Sequence, residues 1–241
     1  MAGFDRMRDG TTQVSIDAEP RVFSFDPRHT ALLVIDMQHD FCSPGGYVDH
    51  SGADVAMLRR PVGAIQAVLA EARRVGMTVI FTREGHRADL ADCPPAKLER
   101  TEWVGHTIGK TGPLGRLLVR GERGNAIIDE LAPLPSEIVI DKPAKSGFYG
   151  TELEVVLRAR HITHLIFTGV TTHICVEGTM RDAADRGFWN LVVSDGTAAI
   201  TEALHNQSLD MIMYQGGVFG VVAPAQAVCR ALAAVAEAQP A

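Results

Sequence analysis

The sequence predicts a three-layer α/β/α sandwich built on a six-stranded parallel sheet. Two observations carry this prediction. Short, continuous apolar runs recur along the chain, which marks strands buried on both faces. Between them lie stretches with apolar residues at three- and four-residue spacing, the period of a helix packed on one side. Strands alternating with helices join as parallel neighbours. With 241 residues, 46% of them hydrophobic, the chain can bury one substantial core.

Residues 1–30 read as an N-terminal arm and residues 31–241 as the domain. Ala31 to Ile35 is the first strand, ending at Asp36. Pro61 can open a helix, in which Val62, Ile65, Leu69 and Ala72 share a face until Gly76 stops it. Met77 to Phe81 and Glu137 to Ile140 are the second and third strands. Leu153, Val156 and Leu157 place a helix over Thr151 to Arg160. His164 to Thr168 is the fourth strand, followed by a helix that carries Cys175 near its start. Asn190 to Ser194 and Val218 to Val222 complete the sheet, with helices over Thr201 to Tyr214 and Pro224 to Ala236. The stretch from Arg83 to about Gly124 is rich in Gly, Pro and charge. A connection that long in a compact domain is expected to be a lid, a binding loop or an interface element.

Charge and cysteine usage narrow the function classes. The net charge of -6, from 29 acidic and 23 basic residues without a Lys/Arg cluster, argues against nucleic acid or an anionic membrane as partner. No run is long and apolar enough for a membrane span, and the N-terminal stretch lacks a secretory apolar segment. Cys42, Cys93, Cys175 and Cys229 are scattered, so free thiols and a cytoplasmic location are expected.

The turn from Gly169 to Cys175 holds the strongest chemical signal. Backbone N–H groups at a helix start are unpaired and favour an anion, so a thiol there is expected to ionise readily and attack as thiolate. The same N–H groups suit the oxyanion that attack creates. In an open parallel sheet, ligand sites gather beyond the carboxyl ends of the strands. Asp36, Lys142 and Cys175 all fall there. A carboxylate can take the thiol proton and return it to a leaving amine, while an ammonium holds the carboxylate and favours thiolate. Position alone does not separate Lys142 from Lys145.

Three separated motifs resemble the isochorismatase-like cysteine hydrolases. They are Leu33 to Phe41 with Asp36, Gln38 and Asp40; Asp141 to Leu153 with Lys142 and Phe148; and Thr168 to Ala184 with Cys175 and Arg181. The likeness spans roughly residues 28 to 222 and implies the isochorismatase-like hydrolase fold. It implies a triad of Asp36, Lys142 and Cys175, selecting Lys142 over Lys145, and an oxyanion hole from the N–H groups of Thr171 and Cys175. It also implies a cis peptide between Val170 and Thr171, and a homo-oligomer, dimer or tetramer.

Within that family the chain is most similar to amidases of ureido compounds. Biuret hydrolases come first, with ureidoacrylate and N-carbamoylsarcosine amidohydrolases as neighbours. The expected reaction is hydrolysis of biuret to allophanate and ammonia through a thioester-type intermediate on Cys175. Gln215 is expected to contact the distal ureido group, and Phe41 to wall the pocket. His173, two residues before the nucleophile, is given a structural or rim role. Zinc-binding relatives use an Asp-x-His pair and a further His. This chain has Asp49 and His50 adjacent and His86 alone, so no metal and no other cofactor is expected. The enol-ether reaction of isochorismatase itself uses no cysteine nucleophile, which counts against it here. A noncatalytic protein with this fold is disfavoured by the intact triad.

Overall fold

The structure, a computed structural model, describes residues 4–6 and 12–238. Strands β1 (Phe4–Arg6), β2 (Thr12–Ile16) and β3 (Phe23–Phe25) form a small antiparallel sheet. The segment expected as an arm thus packs on its own chain: Val14, Ile16, Phe23 and Phe25 are buried in the main core. Next come β4 (Thr30–Ile35) and the helices α1 (His39–Cys42), α2 (Tyr47–His50), α3 (Val55–Arg59) and α4 (Val62–Arg74). Strand β5 (Thr78–Glu84) leads into α5 (Pro95–Trp103) and a hairpin of β6 (Thr111–Gly112) and β7 (Gly115–Arg116). The long connection therefore has structure of its own.

The remaining elements are β8 (Ile138–Lys142), α6 (Leu153–Ala159), β9 (His164–Val170) and α7 (Glu177–Asp185). They are followed by β10 (Trp189–Ala198), α8 (Glu202–Gly217), β11 (Val221–Ala223) and α9 (Ala225–Ala238). The central sheet has six strands in the order β11-β10-β9-β4-β5-β8, all parallel.

Strand β4 shows why its apolar run is continuous. Successive side chains point to opposite faces. Leu32 and Val34 join the core under α4 and α9, while Ala31, Leu33 and Ile35 join the core under α6 and α7. Both faces are covered, which gives the three layers the sequence predicted.

Several boundaries differ from expectation, two of them for a plain reason. Strand β5 continues past Phe81 to Glu84, because Thr82 and Glu84 are buried although polar. The last strand begins at Val221 rather than Val218, since Gly220 has φ 155 and its Cβ position lies against Asn190 O. Among the described residues no helix is long and apolar enough to cross a membrane.

Candidate active site

Four neighbouring strands deliver the site. Their order, β9-β4-β5-β8, places Cys175, Asp36, Glu84 and Lys142 side by side at the carboxyl edge. Asp36 follows β4 in the left-handed region at φ 52, a conformation an Asp tolerates and one that clusters at functional sites. Its N–H donates to Thr82 O and its Oδ1 accepts from Thr82 Oγ1 at 2.7 Å, so the carboxylate is fixed. Gly169 in β9 is required by close packing, since a Cβ there would lie 2.0 Å from Ile35 O.

Lys142 ends β8 with its ammonium fully buried. Nζ lies 2.7 Å from Asp36 Oδ2 and 3.3 Å from Glu84 Oε2, and donates to Ala144 O at 2.7 Å. A carboxylate oxygen has two lone pairs, so Oδ2 keeps accepting capacity toward the thiol beside its Lys142 contact. The neighbouring carboxylates outweigh burial and hold the Lys142 ammonium charged. Lys145, by contrast, is exposed at the mouth, where burial and the nearby Lys97 and Arg100 cations lower its pKa.

Cys175 is 3% exposed and sits in a π-helical turn, Thr172–Val176, that precedes α7. Val176 N–H reaches back to Thr171 O at 3.2 Å, the five-residue spacing of that turn. The peptide between Val170 and Thr171 is cis, as the resemblance implied. Thr171 N–H donates to no backbone carbonyl among the described residues.

One expectation about the thiol needs correction. Burial pushes the Cys175 thiol well above its ordinary value; Lys142 opposes this, while Asp36 and Glu84 reinforce it. Burial thus favours the neutral S–H over the thiolate, against the pull of the helix start. Burial likewise raises Asp36, against the pull of Lys142. A carboxylate shifted toward neutrality is a stronger base for that proton.

Glu84 was not among the predicted site residues. Its Oε2 accepts from Cys175 Sγ at 3.4 Å, and its Oε1 is 2.5 Å from Lys97 Nζ. Lys97, on α5, also donates to Pro143 O at 2.8 Å. Gln38 Oε1 accepts Glu84 N–H at 2.7 Å, and Gln38 Nε2 and Asn125 Nδ2 donate to Glu84 O. The signal that would have found Glu84 is its place at the true end of β5. Lys97 offered no such signal.

Asp36, Glu84 and Cys175 present ligand atoms within 4.8 Å of one another, a spacing that can hold a metal ion. The Lys142 ammonium, within 3.3 Å of both carboxylates, already occupies the cation's place there. The donor set therefore fits an ammonium better than a metal.

Two other predicted residues are Gln215 and Phe41. Gln215 is exposed in a kink of α8, at φ 51. Helix α8 runs from the carboxyl end of β10 to the start of β11, and Asn190, at the start of β10, donates to Phe219 O at 3.0 Å. Gln215 consequently lies toward the opposite edge of the sheet from Cys175 in its own protomer. Phe41 is buried in the core, edge-on to Tyr47 with ring centroids 6.3 Å apart. Burial first, then the Glu84 charge, raise the Tyr47 hydroxyl pKa, and Arg100 opposes them. His173 Nδ1 is buried without a hydrogen-bond partner, so it forms no dyad with the thiol. A cavity of about 430 Å³ beyond β10, lined by Asp195, Thr197 and His205, contains no triad residue.

This geometry has counterparts. Residues 30–225 match the isochorismatase domain. The chain belongs to the isochorismatase family. It is 35% identical over 222 residues to the ureidoacrylate amidohydrolase RutB of Cronobacter sakazakii, covering 91% of this chain and 95% of that one. Among solved structures it resembles a cysteine hydrolase from Pseudomonas syringae pv. phaseolicola (TM-score 0.74, 29% identity, 87% of this chain and 95% of the other). It also resembles N-carbamoylsarcosine amidase from Thermoplasma acidophilum (TM-score 0.63, 28% identity, 81% and 96%).

Proposed function

We propose that the protein is a metal-independent cysteine amidohydrolase of ureido compounds, hydrolysing biuret to allophanate and ammonia. The observation that carries this reading is the convergence of Asp36, Lys142 and the buried Cys175 at adjacent strand ends. Asp36 takes the proton of Cys175 as sulfur attacks a carbonyl carbon. The N–H groups of Thr171 and Cys175 receive the oxyanion, each good donor contributing about 3–4 kcal/mol. Asp36 passes its proton to the departing ammonia, leaving an acyl thioester on Cys175. Water, deprotonated by the same carboxylate, then releases the acid. Throughout, Lys142 keeps Asp36 in place and offsets its charge.

The likeness to a ureidoacrylate amidohydrolase favours a second substrate of the same class, ureidoacrylate. Ammonia release by purified protein from biuret, ureidoacrylate, an N-carbamoyl amino acid and nicotinamide tests both. Turnover confined to nicotinamide, or full turnover by Cys175→Ala, would overturn the proposal.

A further inference from the structure

Glu84 presents a problem that the triad does not solve. Its side chain is almost entirely buried, with one carboxylate oxygen against the nucleophile and the other against Lys97. Burial works against its charge, but Lys142 and Lys97 prevail and hold the carboxyl down at about 2. A fixed anion 3.4 Å from the sulfur disfavours the thiolate that attack requires. Asp36 already serves as base, and Lys142 already has Asp36 as partner. The backbone of Glu84 is pinned on both sides by Gln38 and Asn125, so its aim is built in. Lys97 and Lys142 balance this charge, and its Oε2 remains aimed at the place where the attacked carbonyl must sit.

That ligand must bring hydrogen-bond donors to within reach of the attacked carbonyl. A ureido group does so, because its carbonyl is flanked by N–H on both sides. We propose that Glu84 is the specificity-determining residue of this site, its Oε2 accepting an N–H of the nitrogen beside the attacked carbonyl. The inference rests on the ureido reading above and assigns the group that recognises that class. In the free enzyme the Cys175 S–H occupies this acceptor. When substrate enters, a substrate N–H replaces it and the S–H turns to Asp36, which takes the proton. An ester presents lone pairs instead of N–H to the same carboxylate and is repelled. Recognition by a buried acceptor of this kind discriminates, since an ester displaces the S–H donor from Oε2 without replacing it.

The test uses the full chain carrying Glu84→Gln or Glu84→Asp, with three readouts. In Glu84→Gln the KM for biuret is expected to rise about 10- to 100-fold, the value of one charge-assisted hydrogen bond, with a smaller change in kcat. Alkylation of Cys175 by iodoacetamide at neutral pH should become faster, because an opposing charge is gone. Turnover of p-nitrophenyl acetate should rise with it. Glu84→Asp, which keeps the charge, should recover part of the biuret KM without the faster alkylation. A merely structural role would slow biuret turnover, alkylation and ester turnover together, and that result overturns the proposal, as does an unchanged biuret KM in Glu84→Gln. Wild-type protein that cleaves p-nitrophenyl acetate but no ureido compound overturns the amidohydrolase reading itself, and with it this ligand for Glu84.

Discussion

The two edges of the central sheet are built differently. At the carboxyl edge, four adjacent strands end in Asp36, Glu84, Lys142 and the turn to Cys175, all buried and mutually paired. At the opposite edge the buried polar residues, Thr30 and Asn190, bond to backbone carbonyls and carry no charge, and Gln215 stands in solvent where α8 breaks. A parallel sheet concentrates chemistry at one edge because every strand exits there and its terminal side chains converge. A residue's place in the sequence therefore matters less than which edge its element leaves it on.

The largest effects should come from the thiol and its base. Cys175→Ala and Asp36→Asn are each expected to lower kcat/KM by about 10³–10⁴-fold or more, as steady-state ammonia release would measure. Retained activity would remove the carboxyl edge from the chemistry. The acid limb of kcat/KM sharpens the same point. Activity needs Asp36 ionised, so it falls as pH drops through a pKa raised above the usual carboxylate range. An acid limb in that ordinary range would show that Asp36 is not the base.

Lys142→Met leaves two buried carboxylates without their shared cation and should cost about 3–5 kcal/mol by denaturant unfolding, besides abolishing turnover. Asp40 tests how the covering stretch is held over this edge. Its oxygens accept from Leu118 and Tyr47 N–H, and burial raises its carboxyl to about 6. The folded state then binds more protons than the unfolded one between about 4 and 6, so stability falls as pH rises through that window. The total is about 3 kcal/mol, and the difference between wild type and Asp40→Asn across pH should show it. The smallest effect belongs to the other edge: Gln215→Ala should change kcat/KM by less than about threefold. A larger loss would mean that the residue reaches a neighbouring copy's site.

The sheet was legible because burial on both faces forces continuous apolar runs, as in β4. Asp36 and Cys175 were legible because they sit at or just past the ends of those runs, whereas Lys142 was chosen over Lys145 only by the family resemblance. Glu84 was hidden by the same logic. Polar residues at the functional end of β5 interrupt the apolar run that marks a strand, so the strand was expected to stop at Phe81. Lys97 lies on α5, whose residues Pro95–Trp103 are mostly polar and show no buried stripe beyond Thr101. The place of Gln215 was hidden because sequence alone did not show at which edge α8 ends. About 12 regular residues at 1.5 Å each carry it some 18 Å along the sheet. The thiol's raised pKa depended on how deeply the turn is buried, which no local pattern reports.

The π turn at Thr172–Val176 amounts to a helix with one residue inserted. Deleting a single codon before Cys175 would close it to ordinary α spacing. The sulfur-bearing position would then swing about 100° around the helix axis, away from Asp36. The layers on either side of the sheet would keep their packing. In evolutionary terms, a hydrolase and an inert protein of the same shape stand one residue of chain length apart.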